Sequence, residues 1–181
     1  VVVSERPAGG AFGPPEPISV PTGIPYVGHL DAPQIALGAD GRAVAAWRRI
    51  GGVRPARRYR VEAAVRPAGG AWRPSAPLSP TATRNAGRPS LGLGAGGHAV
   101  VAWSQPIGRS GSAIRARALG KEATDFGRLE SISSPRGRGA SPSVALDAAG
   151  RAVLAWREDP APAPGRGSGR FFDVAVRPPP G

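Results

Sequence analysis

The chain repeats itself, and that limits its fold more than any other feature. Three segments of the 181 residues align without gaps: Pro33 to Trp47, Pro89 to Trp103 and Pro142 to Trp156. Each runs eight residues from its proline to Gly41, Gly97 or Gly150, and six more to its tryptophan. A second element recurs between them, with one spacing from an aromatic residue to an aliphatic-serine pair: Phe12 to Ile18-Ser19, Trp72 to Leu78-Ser79 and Phe126 to Ile132-Ser133. Arg-Pro-Ala-Gly-Gly precedes two of these, at Arg6 to Gly10 and Arg66 to Gly70, and Arg177-Pro178 begins another copy. The tryptophans lie 56 and then 53 residues apart, longer than leucine-rich or ankyrin units. Each unit therefore holds several elements and buries its apolar faces by stacking on its neighbours.

Within a unit the hydrophobic period is two. Ile35 and Leu37, Leu91 and Leu93, and Val144 and Leu146 alternate with small residues, which predicts a first strand with one buried face. Asp40-Gly41, Gly96-Gly97 and Ala149-Gly150 predict hairpin turns, the Asp-Gly pair being suited to positive φ. Ala43 to Trp47, Ala99 to Trp103 and Ala152 to Trp156 are continuously apolar, as in a central strand covered on both faces. Val61, Ala63 and Val65 alternate with Arg60 and Glu62, Ile114, Ala116 and Ala118 with Arg115 and Arg117, and Phe172, Val174 and Val176 repeat the pattern. These predict a half-exposed third strand, and Trp72 to Ser79 with its equivalents a proline-bearing fourth strand confined to an edge. Gly 27 and Pro 22 leave no room for long helices.

Four-stranded antiparallel sheets with small inner residues and a broken polar outer strand are the blades of a β-propeller. The pattern Pro-x-φ-Ala-φ-x-x-x-Gly-x-Ala-Val-φ-Ala-Trp, then φ-x-φ-Arg-Pro and aromatic-x5-[Leu/Ile]-Ser, resembles repeats of secreted bacterial propeller proteins grouped loosely with sialidase-like, Asp-box families. The Asp-box itself is absent, because glycine and tryptophan are six apart here where the box sets them three apart. The resemblance spans nearly the whole chain and implies an all-β fold and an extracellular or cell-envelope location. The expected organisation is a single repeat domain over 1–181. It has a partial blade at 1–19 (strands three and four), unit 1 at 33–79, unit 2 at 89–133, and unit 3 at 142–181. Unit 3 lacks its last strand and carries a Pro/Gly-rich insertion at 160–169. That makes about three blades, against the four to eight that close a propeller, so an open arc, a fragment or half of a ring is expected. Additional blades from a longer chain or a homodimer would complete it. With Met 0, residue 1 is expected to be a processing site, a boundary or a cut end.

Cys 0 and two histidines, His29 and His98, exclude thiolate chemistry and a histidine-rich metal centre, and no cofactor is expected. The net charge of +12 raises a nucleic-acid partner, yet Lys121 is the only lysine, and Arg, Ala, Gly and Pro share GC-rich codons. Part of the basicity therefore reads as genome composition. The densest cluster, Arg48, Arg49, Arg54, Arg57, Arg58 and Arg60, is the candidate anion site, suited to oxyanions. Nucleic acid is disfavoured there, because the equivalent loops are only moderately basic and Tyr59 is the lone nearby aromatic. Trp47, Trp103 and Trp156, with Trp72 and Phe126, read as repeat packing, each central indole N–H donating to a loop carbonyl.

A sialidase-like glycosidase needs a tyrosine beside a glutamate. Tyr59 and Glu62 are three apart on a strand and so face opposite ways, and Tyr26 has no glutamate beside it. Asp31, Asp40 and Asp147 raise calcium as a ligand, but the Asp40 position is not kept in the other units. Asp40 and Asp147 read as turn residues, His98 reads as an exposed turn residue, and no catalytic residue is assigned. No apolar run is long enough to span a membrane. The expected function is a non-enzymatic binding or structural scaffold for a glycan or a protein. The alternatives are a sialidase-like glycoside hydrolase fragment and a polyanion binder centred on Arg48–Arg60.

Overall fold

The structure, a computed structural model, describes residues 1–20, 32–51, 58–80, 85–108, 111–159 and 171–177, with only the backbone at 51 and 171–177. Regular structure among them is β throughout, and none of the sheets closes on itself. A short antiparallel pair, β1 (Val2–Val3) and β2 (Glu16–Pro17), comes first. Next is a four-stranded antiparallel sheet: β3 (Gln34–Leu37), β4 (Ala43–Gly51), β5 (Arg58–Arg66) and β6 (Ala76–Pro77), in that order. The same succession follows as β7 (Ser90–Leu93), β8 (Ala99–Ile107), β9 (Gly111–Leu119) and β10 (Glu130–Ser131). The third unit has β11 (Arg138–Leu146), β12 (Ala152–Asp159) and β13 (Phe171–Arg177). Its predicted insertion at 160–169 lies outside the described residues.

The three hairpin turns share one construction. Gly41, Gly97 and Gly150 take φ of +83°, +85° and +84°. Their N–H groups donate to the carbonyls of Gly38, Gly94 and Asp147. Only the glycine is left-handed, so each turn is a four-residue turn ending in a glycine bulge, not the two-residue Asp-Gly turn the sequence suggested. Asp40 Oδ1 accepts the Arg42 N–H at 2.9 Å, and Asp147 Oδ1 that of Arg151 at 2.9 Å. Those contacts give both aspartates the expected turn role.

The aliphatic-serine pair also has a local cause. Ser79 Oγ accepts the Val61 N–H at 3.0 Å, and Ser133 Oγ the Ile114 N–H at 2.9 Å. The fourth strand pairs with the third for only two residues, and the hydroxyl satisfies the next strand-three donor where the ladder stops. Ser19 Oγ accepts from the Val1 amino group in the first, partial unit. The loops between strands three and four repeat too, with Gly10 and Gly70 donating to the carbonyls of Pro7 and Pro67.

Stacking buries the sheets face to face. One face of β4 and β5, including Ala46, Val61 and Ala63, meets Val101 and Trp103 of the next unit. In the same way Val100, Ala102 and Ile114 meet Leu154 and Trp156 of the third. On the other side Ile18 and Val3 cover Ala45, Trp47 and Ala64. Strand two is buried on both faces in the first two units, as expected. In the third it alternates, Val153 and Ala155 being exposed because none of the described residues covers that face. Strand three is more buried than its alternation suggested, and even Glu62 is only 5% exposed. The third unit departs further, since β11 begins at Arg138 rather than at Pro142. Its first residues reach β9 in a parallel contact at Arg138 and Ser112, and the strand then bends at a bulge where Ser141 takes φ +52°. The second and third units are thus joined in one seven-stranded sheet.

Candidate functional site

A cleft of about 320 Å³ opens where the first strand pair leans on the first complete unit. Its floor and walls come from Val3 on β1, Glu16 on β2, Glu5 and Pro14 in the loop between them, Arg66 ending β5, and Trp72 in the following loop. Glu5 organises it. One carboxylate oxygen accepts the Trp72 indole N–H at 3.0 Å, and the other pairs with Arg66. The Arg66 guanidinium also donates to the Gly41 carbonyl at 2.8 Å and lies 5.9 Å from the Trp72 ring centre. Glu16 is exposed at the mouth. The cleft thus offers an indole, a fixed guanidinium and two carboxylates within a volume suited to a small ligand.

The sequence reading took Trp72 for packing and did not find Glu5, Glu16 or Arg66. One signal was present, the Arg-Pro-Ala-Gly-Gly-Ala-aromatic run. It sets Arg6 over Phe12 at 5.6 Å as it sets Arg66 over Trp72. Phe126, at the equivalent place in the second unit, is partly buried against the core.

The arginine cluster is divided by its own hairpin. Arg48, Ile50 and Tyr59 share one face of β4–β5, while Arg49 and Arg60 share the other. Arg48 stacks over the Tyr59 ring at 4.2 Å, and Arg49 pairs with Glu62 at 2.9 Å. Arg58 is exposed. Arg54 and Arg57 lie outside the described residues, as do Tyr26, His29 and Asp31. The register also sets Tyr59 and Glu62 on opposite faces, so they cannot act on one substrate.

Trp47, Trp103 and Trp156 are buried, at 3%, 0% and 6% exposure. The second and third differ from expectation in their partners. Trp103 donates to Gln105 Oε1 at 3.1 Å and Trp156 to Glu158 Oε2 at 2.7 Å. A side chain two residues along the same strand face replaces the expected loop carbonyl.

The residues after the turn glycines differ in burial, and His98 departs from the exposed turn position expected of it. Arg42 is 3% exposed and donates to the carbonyls of Gly120, Lys121 and Ala123 on the neighbouring unit. Burial pushes its guanidinium below the usual arginine pKa, with Asp40 pulling the other way. His98, its equivalent, is half-buried under the third turn, and its Nδ1 is buried without a partner. A cavity of about 270 Å³ beside it is lined mainly by Leu119, Val100, Leu146 and other apolar groups. No group of His, Asp and Glu able to hold a metal ion occurs among the described residues, and no helix there is long and apolar enough to cross a membrane.

No family model and no curated protein matches the chain. Among solved structures it is similar to the "Hadza microbial sialidase Hz136", at 12% identity with a TM-score of 0.49. That match covers 78% of this chain and 34% of the other, so the chain spans about a third of its length.

Proposed function

We propose that this chain is a non-enzymatic binding scaffold of β-propeller type, with about three blades, which holds the end of a glycan in the Trp72 cleft. The observation that carries this reading is the joint presence of the indole, the Glu5–Arg66 pair and the exposed Glu16 around one cleft. Sugars offer C–H faces to aromatic rings and adjacent hydroxyls to carboxylates and guanidinium groups, so this lining matches both sides of their chemistry. The neighbouring loops can vary without disturbing the stack, as suits a secreted or envelope protein that displays a ligand site.

Among the described residues a hydrolase reading lacks a tyrosine-glutamate pair on one face, and a polyanion reading has Arg48 on one face and Arg49 and Arg60 on the other.

Trp72 reports the test directly, because the three other tryptophans are buried. Titration with neutral and acidic oligosaccharides is expected to shift the emission of the native chain. Trp72→Ala, followed by calorimetry because it lacks the reporter, and Glu16→Ala should each weaken the best ligand about tenfold or more, the loss of one or two charged or stacking contacts. Failure of every oligosaccharide to bind, or affinity unchanged in both variants, would remove the glycan reading.

A further inference from the structure

The polar lining of the Trp72 cleft is not demanded by the repeat. The N–H groups of Gly13, Arg73 and Gly127 donate to the carbonyls of Glu5, Val65 and Ala118, and Arg66 and Leu119 pair with the equivalent residues Ala43 and Ala99. At the next junction Glu5, Arg66 and Trp72 are therefore matched by Val65, Leu119 and Phe126, and Glu16, which opens β2, by Ala76, which opens β6. Val65, Leu119 and Phe126 belong to one apolar cluster. The same backbone thus closes a junction with no charge at any of these four places, and stacking gives no reason for a second carboxylate, Glu16, at the mouth of the cleft.

The charged groups of the cleft differ in what they leave for a ligand. Arg66 bonds Glu5 through one terminal nitrogen and the Gly41 carbonyl through the other, and its Nε is buried. The guanidinium is therefore poorly placed to grip a ligand carboxylate, which takes two parallel N–H donors. Glu5 is matched in turn by Arg66 and the Trp72 indole N–H. No side chain among the described residues bonds to Glu16, which is exposed. With Glu5 and Glu16 against Arg66, the lining is net negative by one charge, in a chain of +12. We infer that the glycan held here ends in an amino sugar, whose ammonium pairs with Glu16 while its ring lies against Trp72; this rests on the glycan reading of the same cleft. An amino sugar carries its ammonium directly on the ring, so a single residue meets both groups, and the indole face itself favours a nearby cation. An acidic sugar would bring its carboxylate to the unpaired charge of Glu16.

The test keeps the sugar backbone constant and varies one substituent. Trisaccharides of glucosamine, of N-acetylglucosamine and of glucose, joined by the same β-linkage, are titrated into the full chain by calorimetry at a pH where the amines are charged. The glucosamine trimer is expected to bind about tenfold or more tighter than the other two, the contribution of one charge-assisted hydrogen bond, and Glu16→Gln to reduce that preference to about threefold or less. Glu16 is exposed and Ala76 stands at its place in the next unit, so the variant keeps the fold, which circular dichroism checks. Equal or tighter binding of an uncharged trimer, or a preference that survives Glu16→Gln, overturns the inference and leaves the glycan reading standing. No binding by the glucosamine trimer overturns it whether or not another oligosaccharide binds, and the glycan reading falls only if all of them fail. Trilysine bound as tightly as the glucosamine trimer overturns both, because the cleft then takes a cationic peptide.

Discussion

Ser79 shows how one hydroxyl sets the length of a strand. β6 pairs with β5 at only Ala76 and Pro77, and the Val61 N–H beyond them would face a buried, apolar neighbourhood without a partner. The serine supplies one. Ser79→Ala leaves that donor unsatisfied and is expected to cost about 1–3 kcal/mol in denaturant unfolding, with no change in the slope of the transition. A Ser79→Thr variant keeps the acceptor and should recover most of that loss; if both variants unfold alike, the hydroxyl is not what holds the edge. Arg42 makes the complementary point. Its guanidinium binds three carbonyls of the next unit's loop, so a polar side chain fastens a junction otherwise made of small apolar groups.

At the scale of the element, three turns of identical backbone sit in three different surroundings, which makes them an internal comparison. Alanine at any of the three glycines must adopt the left-handed region, at a cost of roughly 1–2 kcal/mol. At Gly41 nothing lies within 4 Å of the added carbon, whereas at Gly97 it would meet Lys121 at 3.3 Å and at Gly150 the His98 ring at 2.8 Å. Stability loss is therefore expected to rise in the order Gly41→Ala, Gly97→Ala, Gly150→Ala. Equal losses would mean that the junctions yield freely. These hairpins were legible in the sequence because period-two alternation and a fixed glycine act within some fifteen residues. The extension of β11 was not, since Arg138 to Ser141 has no alternation, and a bulge separates its pairing with Arg157 to Asp159 of β12 from the rest of the ladder. The cleft escaped as well. Glu5 and Trp72 lie 67 residues apart and meet only because two units stack. The burial of Arg42 and His98 was not legible either, because the loop or turn that covers each belongs to the following unit.

Across the whole molecule, the charge of +12 and the arginine cluster make different predictions about anions. A localised site would concentrate affinity in residues 48–60. The hairpin argues for a distributed charge, because β4–β5 turns its arginines to opposite faces and engages Arg49 with Glu62 and Arg48 with Tyr59. Elsewhere Arg128 and Arg136 are exposed on the second unit and the loop that follows it. Retention on heparin should then fall steeply with salt, as counterion release requires, and respond to the number of arginines removed rather than to their position. Replacing Arg54 and Arg57 by serine is expected to lower the eluting salt concentration by the same amount as replacing Arg128 and Arg136. A clearly larger drop for the first pair would locate an anion site in the cluster and revive the polyanion reading. Equal drops would leave the basicity as a property of the whole surface and the Trp72 cleft as the place to look for a specific ligand.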